Sequence, residues 1–347
     1  MRKTARNGKH WVSKRRTTAA SRDVYAALDL GTNNCRMLLA VPNADGFRVI
    51  DSFSRIVRLG EGLATTGSLC DDAIERTIDA LKVCAGKARD HQVKRIRNVA
   101  TEACRRAGNG DHFLSRVESE TGLSVSAITC NEEAALTVAG CMPLLDSSHP
   151  YALIFDIGGG STEIMWVKQH QGRPAELIAL LSMPFGVVTL AEEYGFGAID
   201  NALRTTITNR IDAHLVVFDD ANAIAPAVAD GQVQMLGTSG TVTTLGAIEL
   251  ALPRYQRSKV DGLYLDLDKV NSIGGQLIGM DLDERARIPC IGRGRADLVA
   301  IGCTILEAIC RRWPATRLRI ADRGIREGLL MAMIAADRTA QAATASS

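Results

Sequence analysis

Tyr151-Ala152-Leu153-Ile154-Phe155-Asp156-Ile157-Gly158-Gly159-Gly160-Ser161-Thr162-Glu163 reads as a buried strand that ends on an aspartate and breaks into three glycines. Tyr25-Ala26-Ala27-Leu28-Asp29-Leu30-Gly31-Thr32-Asn33-Asn34 has the same form, and its aspartate stands 127 positions earlier. In both, a short apolar run is stopped by turn formers, the pattern of a strand inside a sheet. A second apolar run follows each turn, Arg36 to Val41 in the first and Glu163 to Val167 in the second. One strand–turn–strand plan used twice is the trace of two domains built to one design.

Outward from this pair the chain alternates strands and helices, so the fold class is α/β. Phe47 to Phe53 continues the first unit across a Pro42-Asn43-Ala44-Asp45-Gly46 turn. Asp71 to Asp90 carries Ala73, Ile74, Ile78, Leu81 and Ala85 at helical spacing behind an acidic first turn, which predicts an amphipathic helix. Ile96 to Ala100 predicts a strand, Gly110 to Gly122 a helix, Val125 to Thr129 a strand, and Glu132 to Met142 a helix stopped by Pro143. Turn formers gather at Asp146-Ser147-Ser148-His149-Pro150, where one domain should give way to the next. Beyond them come a helix from Ile199 to Phe218, a strand from Gln232 to Leu236, and helices at Val242 to Leu250, Ala296 to Arg312 and Gly324 to Ala336. The expected organisation is an arm over residues 1–22, a domain over 23–147, a second over 148–336 whose last helix can pack back on the first, and a disordered tail over 337–347.

Composition narrows the function classes. The 46% apolar and 23% charged residues suit a globular protein in water, and 347 residues suffice for two cores. No apolar run approaches the roughly 18 residues that a bilayer span needs, so no membrane partner is expected. The nine cysteines form no CxxC pair and mostly sit in apolar stretches, the usage of a reduced, cytoplasmic protein. Residues 1–22 are basic through Arg2, Lys3, Arg6, Lys9, Lys14, Arg15 and Arg16 but lack the apolar centre of a secretory signal, and they are expected to be a disordered arm. A net charge of +2 does not suit a dedicated nucleic-acid binder. None of the six histidines has a partner at metal-ligand spacing.

The two glycine turns carry the chemistry. Glycine lets consecutive backbone N–H groups approach an anion closely. Thr32, Asn33 and Asn34 add short donors to Gly31 in the first turn, and Arg36 adds a planar cation suited to a phosphoryl group. Gly158, Gly159, Gly160, Ser161 and Thr162 make the second turn a donor-rich nest. Asp29 and Asp156, at strand ends, can hold a hard cation such as Mg²⁺ through waters. One such turn alone would be read as a tight hairpin with its aspartate capping its own backbone; two in equivalent places point to a shared anionic ligand. A third turn, Gly237-Thr238-Ser239-Gly240-Thr241, follows a strand and opens a helix. It fits an anion at the helix N-terminus and an ordinary strand-to-helix connection equally well.

Together with Ala100-Thr101-Glu102-Ala103-Cys104-Arg105-Arg106-Ala107-Gly108-Asn109, Asn131-Glu132-Glu133-Ala134 and Arg326-Glu327-Gly328-Leu329, these segments resemble the exopolyphosphatase and guanosine-pentaphosphate phosphohydrolase family from about Tyr25 to about Leu330. The resemblance implies two actin-like domains with the active site in the cleft between them, of the sugar kinase, Hsp70 and actin type. It implies hydrolysis of the terminal phosphate of polyphosphate or guanosine pentaphosphate, aided by Mg²⁺ or another divalent cation, and a homodimer. It makes Glu133 the residue that activates water, Asp156 and Glu163 acidic residues near metal and water, with Asp29 a further metal contact, and Arg36 and Arg105 cationic contacts to the phosphoryl chain. Neighbours on a helix diverge by about a third of a turn or somewhat less, so only one of Glu132 and Glu133 can aim into a cleft.

The chain departs from the family pattern at two places. Ala135 stands where arginine often follows the glutamate pair, and Thr32-Asn33-Asn34 replaces the commoner Ser-Asn-Ser. No His-Asp dipeptide of the HD phosphohydrolase domain found in larger relatives is present. The rival readings are an ATP-dependent kinase of the same fold and a silent sensor of alarmone or polyphosphate. The groups Lys94 to Arg97, Arg254 to Lys259, Arg293-Gly294-Arg295 and Arg317 to Arg326 read singly as solvated faces, and jointly as a track for a long polyanion.

Overall fold

The structure, a computed structural model, describes residues 23–44 and 46–345. The expected arm over residues 1–22 lies outside the described residues. Two mixed sheets are built on one plan. The first is ordered β3-β2-β1-β4-β5, from β1 (Tyr25–Leu30), β2 (Asn34–Asn43), β3 (Gly46–Ile56), β4 (Arg95–Ala100) and β5 (Ser126–Ala127). The second is ordered β10-β11-β9-β6-β7-β8, from β6 (Tyr151–Ile157), β7 (Thr162–His170), β8 (Arg173–Met183), β9 (Val233–Thr238), β10 (Tyr264–Asp266) and β11 (Arg317–Ala321). In both, the first three strands form an antiparallel meander and the founding strand then pairs in parallel with one reached through helices. β6-β7-β8-β9-β11 thus repeats β1-β2-β3-β4-β5, with β10 added at the edge. The expected actin-like α/β class is the one observed.

The register makes the repeat exact at the site. Asp29 of β1 stands opposite Arg36 of β2, and Asp156 of β6 stands opposite Glu163 of β7. One unit therefore faces its strand-end aspartate with a cation, and the other with a second carboxylate.

Two helices fill the space between the sheets. Cys130–Cys141 sets Ala134, Val138 and Cys141 against the β6 and β7 side, where Ile154 and Met165 are fully buried. Ile325–Ala345 returns to the first sheet and buries Leu329, Leu330, Met333 and Ile334 against Tyr25, Ala27, Leu38 and Val99. The helices meet at two glycines. A Cβ on Gly328 would lie 2.9 Å from the Leu136 carbonyl carbon, and one on Gly140 would lie 2.9 Å from that of Gly324.

Several boundaries differ from the sequence reading. The strand expected over Val125 to Thr129 shrinks to Ser126–Ala127, because Thr129 turns to cap the next helix and its Oγ1 accepts from the Glu132 N–H at 3.2 Å. The last helix continues through residues 337–345, which the sequence reading assigned to a disordered tail. Alanine-rich sequence favours this, and two contacts hold it. The Tyr25 hydroxyl donates to Asp337 Oδ2 at 2.7 Å, and Arg338 Nη2 to the Asn43 carbonyl at 2.6 Å. The helix expected over Ala296 to Arg312 breaks into Arg293–Ala296 and Val299–Arg312. β8, β11 and the Leu267–Gly279 helix were not anticipated. In β11, Leu318 and Ile320 are buried while Arg317 and Arg319 stack on the Tyr264 ring, so an alternating strand had been read as a basic run.

Candidate active site

Between the sheets opens a cleft of about 1010 Å³, part of it open to solvent, with both glycine turns on its walls. The turns have one geometry. The Gly31 N–H donates to the Asn34 carbonyl at 2.9 Å, and the Gly158 N–H to the Ser161 carbonyl at 2.9 Å. They face each other closely: a Cβ on Gly159 would stand 3.0 Å from Thr32 Cβ, and one on Gly160 2.7 Å from the Glu102 carboxyl carbon. Only glycine leaves these positions free. Asn33 contributes a buried side-chain Oδ1 with no hydrogen-bond partner.

Asp29, Glu133, Asp156 and Glu163 all line this cleft. Burial is the leading cause of a rise in every one of the four. Asp156 and Glu163 are pushed up to about 7 and Glu133 to about 8, and Asp29 moves the same way. Mutual repulsion adds to it: Glu133 and Asp29 act on Asp156, and Glu163 acts on Glu133. Arg36 opposes the rise at Asp156, as Arg326 and Arg36 do at Asp29 and Arg105 does at Glu133. The site is a set of carboxylates, Glu133 and Glu163 buried and Asp29 and Asp156 half-buried, whose mutual repulsion the nearby arginines only partly offset.

Glu133 and Glu163 are held by different partners. Glu133 Oε2 accepts from Arg105 Nη1 at 2.7 Å, and the same nitrogen donates to the Ile128 carbonyl at 2.9 Å. Glu132 diverges as helix geometry demands and pairs with Arg97. Glu163 Oε1 accepts from Ser182 Oγ at 3.0 Å.

The structure brings most of the sequence-derived set together and leaves three members out. Gly31, Thr32, Asn33, Asn34, Arg36, Gly158, Gly159, Gly160 and Ser161 line the cleft with the four carboxylates. Arg105, expected as a phosphate contact, is instead the partner of Glu133 and is not on the wall. The third turn is split. Ser239 and Gly240 line the cleft, whereas Gly237 is pressed on the Phe155 ring and Thr238 Oγ1 donates to the Arg323 carbonyl at 2.7 Å. Of the proposed basic track, Arg295 reaches the cleft, while Arg257 binds Glu327 at 2.6 Å and Arg323 binds Asp261 at 2.7 Å.

Thr241 of the third turn also lines the wall, with Glu102 and Thr244, to which the sequence reading gave no role. Glu102 is buried, its Oε1 accepts from Arg106 Nη1 at 2.9 Å, and its Oε2 lies 3.4 Å from Thr32 Oγ1. It follows closely on β4, the strand beside β1, a neighbourhood that only the fold reveals.

A support residue behind the second turn gives a direct test. Gly186 has extended backbone, which alanine also adopts, but its Cβ would lie 2.5 Å from the Gly160 nitrogen. Gly186→Ala must therefore push the second turn into the cleft. The expected result is a loss of roughly 10²-fold in kcat/KM for phosphate release with folding retained, as sub-ångström misplacement of reacting groups costs. Steady-state kinetics beside a melting curve checks this.

Asp29, Asp156 and Glu163 are oxygen donors of the kind a hard divalent cation takes. Among the described residues, no three His, Cys, Asp or Glu side chains are grouped to hold a metal by themselves. Mg²⁺ is commonly held by one or two carboxylates plus water and substrate phosphates, and the shortage of positive charge around Asp156 suits it.

The signature of the Ppx/GppA phosphatase family matches residues 40–336. Exopolyphosphatase 2 of Mycobacterium tuberculosis is 28% identical over 325 residues, covering 89% of this chain and 98% of that protein. A solved structure of the Aquifex aeolicus PPX-GPPA enzyme is 28% identical, with a TM-score of 0.73 over 89% of this chain and 99% of its own. An exopolyphosphatase-like protein superposes with a TM-score of 0.80 at 25% identity, covering 90% and 97% of the two chains. The exopolyphosphatase of Cytophaga hutchinsonii, at 24% identity and a TM-score of 0.81 over 90% and 98%, shares the fold.

Proposed function

Because the chain belongs to the Ppx/GppA phosphatase family, we propose that its cleft hydrolyses the terminal phosphate of inorganic polyphosphate. The observation that carries this reading is the pair of glycine turns, closed by the same hydrogen bond and facing each other, with Glu133 among the residues of the same cleft. Backbone N–H groups of both turns, with Arg36, cradle the terminal phosphates. Glu133 takes a proton from the attacking water. Burial and the neighbouring Glu163 raise its proton affinity, so its ionised form is a stronger base than free glutamate, and the bond from Arg105 fixes its direction. Charge spreading over the transferring phosphoryl oxygens meets donors already in place, so little reorganisation is needed. Asp156, with Asp29 or Glu163, would hold a divalent cation such as Mg²⁺, which neutralises phosphate charge when bound.

Guanosine pentaphosphate offers the same terminal phosphates and is the second substrate to assay. Side-by-side kcat/KM values for polyphosphate of several lengths and for guanosine pentaphosphate test the proposal. Orthophosphate release from polyphosphate in the presence of Mg²⁺ is the expected result. Transfer of phosphate from ATP to a sugar or to acetate, without hydrolysis of polyphosphate, would place the chain among kinases instead.

A further inference from the structure

Residues 57–62 follow β3 and touch the first glycine turn and the opposite half of the molecule at once. The Val57 and Arg58 N–H groups both donate to the Asn33 carbonyl, at 2.9 and 3.0 Å, and the Gly60 N–H donates to the Thr32 carbonyl at 2.9 Å. A Cβ on Gly60 would overlap the Thr32 side chain, so the segment lies flat on the first glycine turn. Its other side reaches the opposite half of the molecule. Arg58 Nη2 donates to Asp297 Oδ2 at 2.7 Å, and the Gly62 N–H donates to Glu192 Oε1 at 2.8 Å.

The segment is built for this bridging. Arg58 has a φ of 49° and Gly62 a φ of 73°. The left-handed conformation is natural for glycine and unfavourable for arginine, and it persists where contacts on both sides enforce it. Asp297 follows directly on the Arg293–Ala296 turn, which carries Arg295 into the cleft, and Gly294 of that turn sits against Ile56. Asp297 Oδ1 and Glu192 Oε2 are buried without a hydrogen-bond partner. Both acids are therefore committed to the cross-cleft contact, since a buried carboxylate that loses a donor pays the full cost of desolvation.

We propose that Arg58 and Asp297 are positioning residues, a clasp that sets the first phosphate turn and the Arg295 turn in register across the cleft; this rests on the function proposed above. When the clasp is shut, the Thr32 and Asn33 carbonyls are engaged from behind, which leaves the turn's N–H groups facing the cleft. At the same time Arg295 is held on the opposite wall. When it opens, each half keeps its fold but the phosphate chain meets one wall at a time. The clasp thus acts on substrate capture more than on the chemical step.

The test uses the full chain with polyphosphate, in Arg58→Ala, Asp297→Ala, the double variant and Arg58→Lys. Each of the first two should raise KM about fivefold or more, and the double variant should be no worse than either, because both break one contact. Arg58→Lys, which keeps a cation on the more exposed side of the pair, should recover most of the loss. Hydrogen exchange of residues 56–63 and of 292–298 should accelerate together in Asp297→Ala, by roughly tenfold or more as local opening becomes easier. Unchanged KM with only a lowered melting temperature would reduce the pair to a structural contact, and additive effects in the double variant would also overturn the proposal. If the unaltered protein releases no phosphate, the proposed function fails by itself, and the exchange measurement alone decides the clasp: joint acceleration upholds it and unchanged exchange overturns it.

Discussion

Glu133→Gln is expected to lower phosphate release by roughly 10²- to 10⁴-fold, the range lost with a positioned base. Glutamine keeps the size of the side chain and can still accept from Arg105, so the bond to the 2.7 Å partner and the start of the Cys130–Cys141 helix should survive. What disappears is the capacity to take a proton. The protein should fold, melt near the unaltered temperature and still bind polyphosphate. Glu132→Gln is the matched control: Glu132 turns away to Arg97, and its loss should leave kcat within about twofold, as for an exposed ion pair. Equal losses in the two variants would remove Glu133 from the mechanism.

Gly328→Ala is expected to be strongly damaging, although it lies away from the chemistry. The new Cβ would stand 2.9 Å from the Leu136 carbonyl carbon and 3.1 Å from Leu136 Cα, both backbone atoms that cannot rotate aside. The two helices between the sheets must therefore separate, and one of them carries Glu133. Overpacking of this kind costs about 1–3 kcal/mol, so a clear drop in melting temperature should accompany loss of activity. Gly275→Ala, in the Leu267–Gly279 helix with nothing within 4 Å of its Cβ, should leave the protein as stable or slightly more so, since alanine favours helix. Similar melting temperatures for the two variants would mean that the close crossing at Gly328 is not needed.

The repeat was legible because its signal is local: an apolar strand, an aspartate and glycines, spaced alike in two places. The register in the structure extends that reading, with Asp29 opposite Arg36 and Asp156 opposite Glu163. Helix Asp71–Asp90 was read to the residue, because it is long, amphipathic and acidic at its start. Less legible were residues whose role depends on what the chain folds against. Arg105 looked like a phosphate contact because it is an arginine in a family motif, yet its direction is set by Glu133, 28 positions on. Glu102 stood in the same motif unremarked, since nothing local says that the strand before it runs beside β1. Arg58 gave no sign at all. Its partner lies 239 positions away, and its left-handed backbone is enforced by tertiary contacts. β11 was hidden by its arginines, which mask the alternation of Leu318 and Ile320.

The central claim is that water, directed by Glu133, attacks the terminal phosphate held between the two glycine turns. Hydrolysis of polyphosphate in ¹⁸O-labelled water tests this most directly. The account predicts that each released orthophosphate carries oxygen from the labelled water, that the shortened chains carry none, and that Glu133→Gln suppresses the labelled product. Label in the shortened chains, or orthophosphate released without it, would contradict the account.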